Sequence, residues 1–117
     1  MDLTTKTCVS TSEGTPPLPE DRVKELIREV PGWGLASGEP RLEREFTFPE
    51  FAPAIAFVHK VAQVAEKEGH HPDIHIHYNK VKLVLWTHSI GGLSENDFIV
   101  AAKINALDRP KKRRKTG

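Results

Sequence analysis

Val23, Leu26, Ile27 and Val30 recur at i, i+3, i+4 and i+7, the spacing of one buried helical face. Leu18-Pro19-Glu20-Asp21 predicts the start of that helix, with proline tolerated in the first turn and acids beside the positive dipole end. Pro31-Gly32 predicts its stop. The period then changes. Trp33 to Leu35 predicts a short strand, and Arg41 to Phe48 alternates, with Leu42, Phe46 and Phe48 on one face and Glu43, Glu45 and Thr47 on the other. From Pro49 to about Glu68 the helical period returns. Phe51, Ile55, Val58, Ala62 and Ala65 make a stripe that Phe57, Val61 and Val64 widen, which predicts the central helix of the core, and Gly69 supplies its stop. Ile74, Ile76 and Tyr78 alternate with His75 and His77, Asn79-Lys80 predicts a turn, and Val81 to Thr87 predicts the returning strand. Gly91-Gly92 breaks it. Ser94 then predicts an N-cap with Asp97 at the third helical position, and Val100, Ile104 and Leu107 continue an inner face until Pro110.

The order α-β-β-α-β-β-α predicts an α+β fold, a four-stranded antiparallel sheet with three helices packed on one face. At 117 residues there is room for one core. That core is expected over residues 18–108, between a flexible N-terminal arm (1–17) poor in apolar groups and a basic flexible tail (109–117). The formal charge of +1 hides an asymmetry, because Arg109, Lys111, Lys112, Arg113, Arg114 and Lys115 crowd the last nine residues and leave the rest net acidic. Such a run reads either as a nuclear-import or nucleic-acid patch or as a solubilising tail. The second is preferred, so no nucleic-acid partner is expected. A lone Cys8 excludes an internal disulfide and a multi-cysteine zinc site. No signal-like h-region or membrane-length apolar window is present, and a cytoplasmic protein with no membrane partner is expected. Internal repeats and Gly-rich phosphate loops are absent from the sequence.

Candidate chemistry concentrates in one place. Four of six histidines, His70, His71, His75 and His77, lie within eight residues, and His88 follows. Imidazole titrates near neutrality, so such a cluster suggests proton transfer or metal binding. His75 and His77 share one strand face and form a possible chelating pair, but no third ligand stands at a telling spacing, and a solvated face is the expected reading. His70-His71-Pro72 is a stiff, extended segment between helix and strand, either a polar connector or two groups flanking one small ligand. His88 decides between these. An antiparallel hairpin brings its open ends together, so His88 falls near the start of the strand that follows His71. Three imidazoles are expected to converge there, with no metal required. His59, alone in the long helix, is assigned no role.

Glu66, three residues, His70-His71-Pro72, five residues, Tyr78, nine residues, His88, eight residues and Asp97 form a pattern that resembles the pterin-4a-carbinolamine dehydratases. Asn79-Lys80-Val81, Thr87-His88, Gly92-Leu93-Ser94-Glu95 and Gly32-Trp33 are similar to that family as well, and the likeness spans roughly residues 20–107. Family members commonly carry Glu-Cys or a similar polar pair after the last active-site histidine, where this chain has Ser89-Ile90.

The resemblance implies dehydration of 4a-hydroxytetrahydrobiopterin to quinonoid dihydropterin in tetrahydrobiopterin recycling, coupled to an aromatic amino-acid hydroxylase. It implies His70, His71 and His88 as catalytic residues, Glu66 and Asp97 as supporting carboxylates, and Pro72, Thr87 and Trp33 beside the substrate. Glu66 also reads as a solvated residue and Asp97 as a helix cap. No cofactor or metal is implied, and a homodimer or homotetramer is. Some family members act instead as binding proteins, stabilising transcription-factor dimers or assisting assembly, and that is the alternative.

Overall fold

A computed structural model of the protein describes residues 2–9, 15–36 and 39–108. Its elements are α1 (Glu20–Ile27), β1 (Gly34–Leu35), β2 (Leu42–Thr47), α2 (Phe51–Glu68), β3 (Asp73–His77), β4 (Lys80–Leu85) and α3 (Glu95–Asp108). The strands form one four-stranded antiparallel sheet, as the sequence pattern predicts, and the structure shows their order across it to be β1-β2-β4-β3. Its inner face presents Leu42, Phe46, Val81, Leu83 and Leu85 to the helices, and Leu26, Val61, Phe98 and Ile104 meet them from the helical layer. Each such buried side chain stabilises the fold by roughly 1.5–3 kcal/mol relative to exposure.

Two expectations shift in phase. The buried stripe of α2 is Ala54, Phe57, Val61 and Ala65, whereas Phe51 and Ile55 are 49% and 37% exposed. Phe57 fixes this rotation, because its ring packs on Phe46 at 4.7 Å and on Phe48 at 5.1 Å between centroids. The hairpin turn is Tyr78-Asn79, one residue earlier than predicted, since His77 pairs directly with Lys80. Asn79 is pinned to the end of β2: its Nδ2 donates to the Phe48 carbonyl at 2.7 Å, and Phe48 N–H donates back at 2.9 Å. Tyr78 therefore takes a left-handed φ of 54°, which costs a non-glycine residue of order 1 kcal/mol or more.

The described part of the N-terminal segment, expected as a flexible arm, makes contacts with the body of the fold. Leu3, in a 3-10 turn over Leu3–Thr5, is 2% exposed and joins the core. Further on, Cys8 N–H donates to Glu68 at 2.9 Å, and Val9 exchanges hydrogen bonds with the Asn96 side chain. A few well-placed polar partners thus tie down a stretch whose composition is poor in apolar groups. The expected basic tail, 109–117, lies outside the described residues.

Candidate active site

The register of the β3–β4 hairpin builds the site. Asp73 pairs with Val84, so the residues just before β3 lie alongside those just after β4. Gly69 closes α2 at φ 68°, a left-handed C-cap that turns the chain sharply into His70-His71-Pro72. On the other side Thr87 pairs with Gly92, which closes His88–Gly91 into a small loop with His88 at its start. The two segments border a cleft of about 300 Å³ lined by Gly69, His70, His71, Trp86, Thr87, His88 and Ser89. All three histidines predicted as catalytic meet there.

Their supports differ. His70 Nε2 lies 2.6 Å from Asp97 Oδ1, and the Asp97 carboxyl is fully buried. Its other oxygen accepts from Thr87 Oγ1 at 2.8 Å and from Ser94 N–H at 2.9 Å. Thr87 gives its one proton to Asp97 and so accepts from Ser94 Oγ, 2.8 Å away. Asp97 reaches back to Ser94 as in a capping box, and its other oxygen meets an imidazole. A carboxylate on Nε2 places that nitrogen's proton toward Asp97 and leaves Nδ1 of a neutral His70 with its lone pair. His71 Nε2 lies 2.7 Å from Glu66 Oε2, but both side chains are mostly exposed, so solvent screens this pair.

Trp33 and Pro72 stand apart from these lining residues. Trp33 is buried in the core, meets Phe46 edge-on and donates through Nε1 to Asn105 Oδ1 at 2.9 Å. Trp86 was missed. A signal was available, since the inward alternation of Val81, Leu83 and Leu85 puts Trp86 in the opposite phase, two residues before His88.

His75 and His77 face outward opposite Lys82 and Lys80, and cations in those positions disfavour a bound metal. Among the described residues no group of three or more His, Cys, Asp or Glu side chains is arranged to hold a metal ion. No described helix is long and apolar enough to cross a membrane.

At the end of α2, the Glu68 side chain is 3% exposed and bound to Lys103 at 2.5 Å. The Cys8 N–H, then Lys103, hold its carboxyl below the usual carboxylate range. Burial, followed by the charge of Glu68, pushes the Cys8 thiol up to about 12.

The sequence profile of the family described as Pterin 4 alpha carbinolamine dehydratase matches residues 16–107. The chain belongs to that family. A relative in Arabidopsis thaliana, pterin-4-alpha-carbinolamine dehydratase 2, mitochondrial, is 44% identical over 110 residues, covering 91% of this chain and 59% of the plant protein. A protein of Alkaliphilus metalliredigens, provisionally named as such a dehydratase, is 44% identical over 104 residues, 89% of this chain and 94% of its own. Among solved structures, the transcriptional coactivator/pterin dehydratase of Brucella melitensis is 37% identical with a TM-score of 0.75, covering 78% of this chain and 97% of that one. A pterin dehydratase-like protein identified as a RuBisCO assembly factor in the alpha-carboxysome is 26% identical with a TM-score of 0.58, covering 69% and 94%. The dehydratase fold is therefore shared by proteins described as having different roles.

Proposed function

We propose that this member of the family dehydrates 4a-hydroxytetrahydrobiopterin to quinonoid dihydropterin, as part of tetrahydrobiopterin recycling beside an aromatic amino-acid hydroxylase. The observation that carries the proposal is the convergence of His70, His71 and His88 on one cleft, with His70 held by the buried Asp97. The cleft stands at the small end of the ~300–1,000 Å³ usual for ligand sites, which suits a compact bicyclic ring.

The reaction needs a base to take the proton from the ring nitrogen and an acid to protonate the departing hydroxyl. The carbon–oxygen bond breaks, a carbon–nitrogen double bond forms, and water leaves. Imidazoles do both at neutral pH with no cofactor. We assign the acid–base work to His70 and His88, and orientation of the pterin to His71, with Glu66 and Asp97 as supporting carboxylates. Thr87 lies in the cleft wall and holds Asp97 through its hydroxyl. We place the activity in the cytoplasm and in a homodimer or homotetramer. The exposed Phe51 and Ile55 of α2 support self-association.

The second reading is a binding role, and the coactivator and assembly-factor descriptions of two structural relatives favour keeping it. A pure scaffold has no use for three convergent imidazoles, which is why catalysis is preferred. Purified protein added to a phenylalanine hydroxylase reaction should speed the appearance of quinonoid dihydropterin. Folded protein that gives no acceleration over spontaneous dehydration would leave the binding role as the better reading.

A further inference from the structure

Each cleft imidazole has a group that holds its ring, and for His88 that group is an indole. His70 and His71 are held by carboxylates, whereas among the described residues no hydrogen bond reaches the His88 ring. His88 is exposed and begins a three-residue 3-10 turn, so tight packing does not confine its side-chain rotamer. Its imidazole instead stacks on Trp86, with centroids 4.0 Å apart and planes 28° from parallel. The indole is itself braced: the Arg41 guanidinium carbon lies 4.3 Å from the Trp86 ring centroid, and Arg41 Nε faces Glu39 Oε1 at 3.6 Å.

The other end of the indole gives a second indication. Trp86 Nε1 is sealed from solvent and has no hydrogen-bond partner among the described residues. A buried donor without a partner is a cost that proteins normally avoid. No contact of the N–H among the described residues accounts for the side chain. What remains is its flat face, and that face carries His88.

We propose that Trp86 is a positioning residue of the cleft: its indole face, braced by the Arg41 cation, holds the His88 imidazole in the orientation in which it meets substrate. Stacking removes rotamers that would carry His88 away from a ligand between it and His70, and fixed orientation of a catalytic group is worth orders of magnitude in rate. The kinetic half of this proposal rests on the dehydratase reading. The structural half does not.

The test uses the full chain and three variants, Trp86→Phe, Trp86→Leu and Arg41→Met, with two readouts: the NMR shifts of the His88 ring protons and dehydratase turnover. In the wild type the indole ring current should move the His88 ring protons away from their free-imidazole positions. Trp86→Leu should abolish that displacement and lower kcat by about 10- to 100-fold, with a much smaller change in KM. Trp86→Phe should restore most of both, because phenylalanine keeps a face and loses only an unpaired N–H. Arg41→Met should give a lesser change in the same direction. Wild-type kcat in Trp86→Leu, or a Trp86→Phe variant as impaired as Trp86→Leu, would overturn the proposal. Should Trp86→Leu fail to fold, undisplaced His88 shifts in the wild type would overturn it independently. If the wild type does not accelerate dehydration at all, the functional reading fails, and the His88 shifts still decide the positioning claim.

Discussion

His70 Nε2 lies 2.6 Å from Oδ1 of Asp97, and the same carboxyl group caps α3 through the Ser94 N–H. One buried side chain therefore joins the cleft to the start of a core helix. Asp97→Asn keeps the shape but supplies an amide N–H₂ where two sets of donors need oxygen. We expect a stability loss of ~1.5–3 kcal/mol, from weakened hydrogen bonds to a charged group. Turnover should fall by about 10²-fold or more as the His70 ring loses its fixed tautomer. Chemical denaturation and the dehydratase assay measure the two losses separately. A stable variant with unchanged turnover would remove Asp97 from the supporting role.

The histidines should separate into two groups. His70→Ala and His88→Ala are expected to reduce turnover by ~10²–10⁴-fold, the usual contribution of a general acid or base. His75→Ala and His77→Ala, on the open sheet face opposite Lys82 and Lys80, should change it little. Equal damage from both groups would mean that the active face is wrongly assigned, and metal analysis of the purified protein would follow.

Cys8 should resist alkylation. A thiol pushed up to about 12 stays protonated and weakly nucleophilic at about pH 8. Its S–H also points toward the Asn96 carbonyl at 3.6 Å. Iodoacetamide labelling followed by mass spectrometry should be slow in the folded protein and fast in urea. Because folding raises this pKa above the ordinary value of 9.0, the associated stability is present below 9 and is lost as pH rises toward about 12. Fast labelling of the native protein would show that residues 2–9 detach readily from α3.

Glu68 gives the opposite dependence at low pH. Its pKa is lowered in the fold, so its stabilisation is present above the ordinary 4.5 and lost as pH falls below it. Glu68→Gln should cost ~1–3 kcal/mol near neutrality, because it leaves Lys103 without its charged partner. The same variant should show a flatter decline in acid than the wild type. Urea titrations at several pH values test this, and parallel curves would refute it.

Self-association should be visible by sedimentation at micromolar concentration. Phe51→Glu with Ile55→Lys, at two exposed positions of α2, should shift the protein toward monomer without unfolding it. A wild type that sediments only as monomer would count against the oligomer.

Much of this was legible in the sequence because periodicity and punctuation report backbone and burial directly. The strand alternation around Phe46 and Val81 and the stops at Gly69 and Gly92 carried the fold. The spacing of His70, His71 and His88 about one hairpin carried the cleft. What escaped depends on contacts between distant elements. The rotation of α2 is fixed by Phe57 on Phe46 and Phe48, and the turn at Tyr78 by Asn79 on Phe48, neither of which a local pattern records. Trp33 was placed beside the substrate by resemblance, but its Nε1 finds Asn105 in α3. Residues 2–9 are poor in apolar groups, and the partners they meet, Glu68 and Asn96, stand far away in the chain.

The link between His70 and Asp97 spans 27 positions of the chain, and it requires the start of α3 to dock against the segment between α2 and β3. The hairpin alone can bring His70, His71 and His88 near one another, but it cannot hold His70. During refolding, then, turnover should return only once that long-range docking is made, so that activity serves as a clock for completion of the fold.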